Sequence, residues 1–143
     1  MKIQGVVLSL AITDASASFD FYVAVMGPDQ VSFAGGIVGL QLPGMAVFLA
    51  EIAEFTKYSR EAKRAPLLPV PATDAFLSCA IETIDEVGEI LRSVKSAGGK
   101  IYEPHEIEHA SGRVQYIGTF ADPDGHLWQL VCNLTDPQGA PVS

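Results

Sequence analysis

Hydrophobic and polar positions along the first third of the chain predict four strands and one helix. Residues 4–13 are mostly apolar and alternate as a strand does. Asp14 is expected to cap a helix that stops at Gly27 and Pro28, and short strands are expected over 30–34, 37–42 and 45–51. The alternation in the first strand separates two sets: Val7, Ser9 and Ala11 on one face, and on the other the more apolar Leu8, Leu10 and Ile12, which we expect to pack on the helix.

The second half of the chain repeats this order. Residues 76–82 predict a strand, and Thr83 or Asp85 begins an amphipathic helix that the glycines at 98 and 99 end. A short strand over 100–103 and a polar loop over 104–112 are expected next. The intervening segment, 53–74, loses its period and predicts a short helical piece followed by an extended linker or a lid. The chain therefore predicts two βαβββ units.

A β-hairpin closes the second unit. Residues 116–120 and 127–132 are rich in β-branched and aromatic residues, and Asp122, Pro123, Asp124 and Gly125 between them have the chemistry of a tight turn. We expect His126 to be a surface histidine at that turn. Trp128 is expected in the core.

Length and charge restrict the class of protein. The 143 residues predict one domain, made of module one (about 1–52), the linker or lid (53–74), module two (about 75–134) and a tail (135–143). A net charge of −8 argues against a nucleic-acid partner, because such binding relies on basic residues. No apolar run is long enough to cross a membrane, and no signal segment precedes the first strand. We therefore expect a cytoplasmic protein without a membrane partner, with Cys79 and Cys132 reduced.

The chain resembles the vicinal oxygen chelate superfamily, which includes glyoxalase I, bleomycin-resistance proteins and extradiol dioxygenases. The turn at 122–125 followed by His126, Leu127, Trp128 and Gln129 is similar to the last hairpin of that family. Two further stretches are similar to the openings of its two modules: residues 10–14 with Ser18, Phe21 and Tyr22, and residues 79–85 with the helix and 97–100. The resemblance implies an α+β fold in which two βαβββ modules form a curved mixed sheet around a cleft, with helices outside. Many members of the family form dimers, so the resemblance also favours a homodimer, which the sequence alone does not show.

The resemblance places the family's metal ligands at four positions. They fall on Val7, Phe48, Phe76 and Gln129. At the position of Gln129, metal-using relatives usually have Glu. Three of the four are hydrocarbon, and a lone amide oxygen cannot hold a divalent ion. We therefore expect that the metal site is lost and that no cofactor is bound. A second group of ligand-type side chains predicts a solvated acidic loop in preference to an ion site: Glu103, His105, Glu106, Glu108 and His109.

An apolar cleft with few hydrogen-bonding groups is what remains. The residues expected to contact a ligand are Val7, Ser9, Phe48, Phe76, Ser78, Tyr116, Leu127 and Gln129, with the strand face of Tyr116 left open. Such a site favours a small apolar or aromatic molecule. Two alternatives stay open: a glyoxalase-like (lactoylglutathione lyase-like), isomerase or dioxygenase enzyme with displaced metal ligands, and a structural dimer with a vestigial cleft.

Overall fold

The computed structural model describes residues 1–142, which contain eight strands and three α-helices. The chain divides after Pro71 into two compact units, each with one four-stranded sheet. The predicted α+β fold of two βαβββ modules is confirmed.

The first unit builds its sheet in the order β1-β4-β3-β2. Strand β1 pairs with β4 in parallel, and the other pairs are antiparallel. A single 3₁₀ turn, Pro28–Gln30, separates α1 from β2. The elements are β1 (Val7–Ile12), α1 (Ala15–Met26), β2 (Val31–Ala34), β3 (Ile37–Leu42), β4 (Met45–Glu51) and α2 (Ile52–Ser59).

Two carboxylates satisfy backbone donors at the start of α1. Asp14 accepts a hydrogen bond from the Ala17 N–H at 3.1 Å, so the predicted N-cap is confirmed. Glu51, at the end of β4, accepts from the Ala15 N–H at 3.0 Å. This second bond ties the helix to the sheet and joins residues too far apart in sequence for a local pattern to reveal it.

The core of the first unit lies between α1 and one face of the sheet. Val38, Leu40, Val47 and Leu49 are fully buried there, and α1 contributes Phe21 and Tyr22. Leu8 and Leu10 share this face by register but are only half-buried. The reason is that α1 lies over β2, β3 and β4, while β1 is at the sheet edge.

The second unit has the sheet order β5-β8-β7-β6, with β5 parallel to β8. Thr83 caps α3 by accepting from the Glu86 N–H at 3.1 Å, and Val87, Leu91 and Val94 of that helix are buried. The elements are β5 (Phe76–Ala80), α3 (Ile84–Ser96), β6 (Lys100–Glu108), β7 (Val114–Ala121) and β8 (Leu127–Asn133).

Strand β6 corrects the expected polar loop. Residues 104–108 continue the strand and pair with β7, with a change of register between Tyr102 and His105. An edge strand can carry Pro104, which has no N–H to donate, because the outer edge of β6 has no partner strand, and a bulge absorbs the break in the ladder. Only the last part of the expected loop, residues 109–112, lies outside the two strands and forms a turn.

The closing hairpin has the predicted turn. Asp122 is 4% exposed, and its Oδ1 accepts hydrogen bonds from the N–H groups of Asp124, Gly125 and His126. The surface position expected for His126 is wrong, since this residue is 6% exposed. Its N–H is held by Asp122 Oδ1 and its carbonyl accepts from the Asp122 N–H, so it sits at the closed end of the hairpin. Trp128 is buried as expected and stacks on Phe120 with ring centroids 6.0 Å apart.

The segment 53–74 begins with the predicted short helix, α2, and continues to β5 without a further helix or strand. None of the helices within residues 1–142 has the length and apolar character that a membrane crossing requires.

Candidate functional site

One face of the second sheet is covered by α3, and the other carries most of the expected ligand contacts in this unit. The covered face is identified by Gly118, because a Cβ atom built there would lie 2.8 Å from Val87 Cγ1 and 3.0 Å from Leu91 Cδ1. Side chains at paired positions of neighbouring strands share a face. We call the side opposite α3 the open face.

The register places three rows of side chains across the open face. The first row holds Ser78, Gln129 and Thr119. The second row holds Ala80, Val131, Ile117 and, on the edge strand β6, His105; the third holds Asn133, Gln115 and Ile107. The polarity of the rows therefore changes along the strands: the first is polar, the second is hydrocarbon apart from His105 at its edge, and the third carries two amides beside an isoleucine.

A pocket of about 340 Å³ opens on this face. Ile117, which is 7% exposed, forms part of its floor. The residues that line it are Ser78, Cys79, Ala80, Ile107, His109, Gln115, Ile117, Gln129 and Val131.

Ser78 and Gln129 form a hydrogen bond at one end of this pocket. Ser78 Oγ donates to Gln129 Oε1 at 3.2 Å. The two residues are paired by the parallel register of β5 and β8, which brings side chains 51 positions apart into contact. Gln129 Oε1 is therefore already engaged, and the two N–H bonds on Nε2 are left for a ligand.

His109 lies at the other end, in the turn between β6 and β7. Its carbonyl accepts from the Gly112 N–H at 2.8 Å, and Gly112 has a φ of +86°. Its Nδ1 accepts from the Ser111 N–H at 3.1 Å, as an Asn or Asp side chain does at the first position of a turn. A backbone N–H can only donate, so Nδ1 of the neutral ring is unprotonated and Nε2 carries the proton.

The open face brings together four of the expected ligand contacts, and one lies elsewhere. Phe76 pairs with Leu127, and Ser78 pairs with Gln129. Tyr116 pairs with Cys132 and is offset by one residue from the row of Ile117 and Val131, so it lies on the α3 side of the sheet. His109 and Gln115 were missed as pocket residues, because only the hairpin register that follows the bulge in β6 shows which face they share.

The other three expected contacts belong to the first unit. Val7, Ser9 and Phe48 lie on the face of that sheet opposite the α1 core, and Ser9 is paired with Phe48. Phe48 also helps to line a pocket of about 220 Å³ whose other walls come from β2, β3 and the 3₁₀ turn.

The four positions that the family resemblance assigns to metal ligands do not provide a donor set. Val7 and Phe48 of the first unit and Phe76 of the second have hydrocarbon side chains. Gln129 offers an amide oxygen that already accepts from Ser78. A divalent ion needs several nitrogen, oxygen or sulfur ligands, so the residues present do not fit the family's metal.

Within residues 1–142, no group of three or more His, Cys, Asp or Glu side chains is placed to hold an ion elsewhere. His105 and His109, four residues apart, lie along or just beyond a strand and not on a helix. Their backbones are therefore separated by roughly 13 Å, which is too far for one ion.

The two cysteines are free. Burial raises the pKa of the Cys79 thiol. Burial also raises the pKa of the Cys132 thiol, with a smaller contribution from the negative charge of Glu86. Cys132 Sγ donates to the Glu82 carbonyl at 3.4 Å. Neither thiol has the lowered pKa of a reactive nucleophile.

The chain is similar to a protein family and to several solved structures. The family model of the Glyoxalase/Bleomycin resistance protein/Dioxygenase superfamily matches residues 4–130. The hypothetical protein SA1046 from S. aureus is 26% identical with a TM-score of 0.72, over 92% of this chain and 95% of that one. A glyoxalase-related enzyme from Fulvimarina pelagi is 22% identical with a TM-score of 0.71, over 99% of both chains. An integron cassette protein from V. cholerae is 25% identical with a TM-score of 0.60, over 92% of this chain and 97% of that one.

No curated protein matches the chain in sequence. The family match covers most of the chain, and the topology of both units agrees with it. The protein belongs to the Glyoxalase/Bleomycin resistance protein/Dioxygenase superfamily.

Proposed function

We propose that this protein binds a small, partly apolar or aromatic molecule in the pocket on the open face of the second sheet, without a metal ion. The observation that carries the proposal is the side chain at each metal-ligand position. The second unit offers Phe76 and an engaged Gln129, and the first offers Val7 and Phe48. Three of these four side chains are hydrocarbon and cannot bind a metal ion, which supports binding without a metal.

The size and lining of the pocket support the same proposal. A volume of about 340 Å³ lies within the range of small-molecule sites, roughly 300–1,000 Å³. Ile107, Ile117 and Val131 provide apolar surface, and a few amide and hydroxyl groups at the two ends can orient a ligand. This balance of a mainly apolar wall with few polar contacts is typical of such sites.

A ligand screen with a pocket-filling variant tests the proposal. Small aromatic and aliphatic compounds are screened by thermal shift, and hits are mapped by NMR on the amides of residues 78–80 and 129–131. Ala80→Phe places a bulky ring in the pocket at an exposed position, so the fold should tolerate it while binding is lost. Glu89→Phe adds the same ring at an exposed position on α3 and should bind the hits as the parent does. Hits that bind the Ala80→Phe variant unchanged would contradict the proposed site.

The homodimer implied by the family resemblance stays a prediction. Light scattering on a sizing column would give twice the mass of one chain for a dimer.

A further inference from the structure

The pocket on the open face has hydrogen-bond donors at both ends of an apolar middle. Resting on the function proposed above, we infer that its ligand has acceptor oxygens, of the carboxylate or ketone kind, at both ends of a short apolar body. The inference follows from which polar atoms are already used within the protein and which remain.

The first end is the pair Ser78 and Gln129. Because Ser78 Oγ donates its hydrogen to Gln129 Oε1, one of the two lone pairs of the strongest acceptor at this end is occupied. The amide nitrogen of Gln129 keeps two N–H bonds, and Ser78 Oγ keeps only the weaker acceptor capacity of a hydroxyl. The first end therefore favours an oxygen that accepts over a group that donates.

The second end is formed by His109 and Gln115. His109 Nδ1 accepts from the Ser111 N–H, which leaves Nε2–H as the ring's remaining polar group, and that group donates. Gln115 Nε2 donates to Asn133 Oδ1 at 2.9 Å, so Gln115 keeps one N–H and its own carbonyl oxygen. Gln115 can therefore bind a donor or an acceptor. Because His109 can only donate, the second end as a whole favours an acceptor.

The middle of the pocket is hydrocarbon and fixes the length of the ligand. Ala80, Val131 and Ile117 form the row between the two polar ends. Gln129 and Asn133 are four residues apart on β8, so the backbone distance between the end rows is roughly 13 Å. The amides of Gln129 and Gln115 stand at the ends of long, rotatable side chains, so we infer that a benzene ring with one substituent at each end can span the gap between them.

Charge distinguishes this pocket from a salt-bridging anion site. Among the described residues that line it there is no Asp, Glu, Lys or Arg. An ammonium group would therefore lose its hydration without meeting a carboxylate. The net charge of −8 repels an anion at long range, and salt screens that repulsion. Binding of a carboxylate should consequently stay equal or strengthen as salt is raised, whereas binding through Lys or Arg would weaken.

Three probes with one aromatic body test the inference by calorimetry. The probes are 4-acetylphenylacetate, with acceptors at both ends; phenylacetate, with an acceptor at one end; and 4-(aminomethyl)phenylacetate, with an ammonium at the second end. One additional hydrogen bond should tighten binding of the first probe about 2- to 10-fold over the second. The third probe should bind at least about 10-fold more weakly than the first.

Two variants test the two ends separately. His109→Asn keeps a side-chain oxygen that can accept from the Ser111 N–H, so the turn is preserved while the Nε2–H donor is lost. Gln129→Glu keeps an oxygen that accepts from Ser78 and replaces the two N–H bonds with a second acceptor. Each variant should remove the advantage of 4-acetylphenylacetate over phenylacetate or weaken both. Gln129→Glu should also improve binding of the ammonium probe, because the probe can reverse and place its ammonium against the new carboxylate at the first end.

The outcomes separate this inference from the proposed function. If the ammonium probe binds as tightly as the acetyl probe, or if phenylacetate equals it, the assignment of donors at both ends is wrong while small-molecule binding stands. If none of the three probes binds and the wider screen also finds no ligand that Ala80→Phe excludes, both proposals are overturned.

Discussion

Gly118→Ala tests which face of the second sheet is open. A Cβ atom at this position would lie 2.8 Å from Val87 Cγ1 and 3.0 Å from Leu91 Cδ1, closer than carbon atoms normally approach. Both neighbours are buried, Val87 completely and Leu91 at 4% exposure, so neither can move aside into solvent. The strand must separate from α3 or the two side chains must leave their preferred rotamers.

The change in the free energy of unfolding caused by Gly118→Ala is the sum of two opposing effects. Overpacking of a core costs about 1–3 kcal/mol, and replacing glycine with alanine recovers about 0.4–1 kcal/mol by restricting the unfolded chain. The net loss should be about 1–2 kcal/mol, which for a protein of this size lowers Tm by roughly 2–8 °C. Urea unfolding followed by circular dichroism measures it.

Two comparisons make the experiment specific to this contact. Gly5→Ala is the matched control, because no atom lies within 4 Å of a Cβ built there, and it should change the stability by less than about 0.5 kcal/mol. In the double variant with Val87→Ala, the removed methyl groups make room for the new Cβ, so the two losses should be less than additive. A Gly118→Ala protein as stable as the parent would refute the placement of α3 against β7.

Three further predictions concern buried or half-buried polar groups. Ser18 Oγ is buried with no hydrogen-bond partner among residues 1–142, so Ser18→Ala should stabilise the protein by about 1 kcal/mol in urea unfolding. Ser16 is exposed, and Ser16→Ala should change the stability less. A loss of stability in the Ser18→Ala variant would contradict this prediction. Burial raises the pKa of the thiols of Cys79 and Cys132 above the ordinary value of 9.0. Iodoacetamide at pH 8 should therefore alkylate both thiols more slowly in the native protein than in the unfolded protein, which intact-mass spectra measure. Equal alkylation rates would argue against burial of these thiols. Asp122→Ala removes the acceptor of three backbone N–H groups and should cost about 2–3 kcal/mol in thermal or urea unfolding, whereas Asp122→Asn keeps an oxygen in place and should lose less.

Local sequence patterns carried most of the fold. The caps Asp14 and Thr83 precede helices by the expected spacing, and the turn from Asp122 to Gly125 has residues that favour it for separate physical reasons. These features are determined within a few residues of the chain, so a single sequence displays them.

The predicted and observed structures differ at positions where contacts with residues that are not neighbours in sequence determine the local conformation. Pro104 indicated a loop, but an edge strand with a bulge accommodates it, and only pairing with β7 determines that β6 continues. His126 follows a turn and was expected at the surface, but the Asp122 carboxylate holds its backbone inside the hairpin. A local pattern does not show which neighbour will satisfy a backbone group.

The candidate site was predicted in part for the same reason. Alternation along β5 and β8 brought Phe76, Ser78 and Gln129 to one face, as the register shows. The face of Tyr116 could not be chosen from sequence, because β7 has apolar residues on both faces and no strong alternation. His109 lines the pocket because it lies in the turn after β6, and the position of this turn depends on the bulge in β6.

The metal content of the purified protein decides whether it binds its ligand without a metal ion. The purified protein is incubated separately with nickel, zinc, iron and manganese, freed of excess ion, and analysed by plasma mass spectrometry, with Gln129→Glu treated in parallel. We expect substoichiometric metal in both proteins, because restoring one carboxylate leaves Val7, Phe48 and Phe76 without donor atoms. Near-stoichiometric retention of any of these ions by the parent chain would contradict metal-independent binding and would place the ligands at residues other than these four.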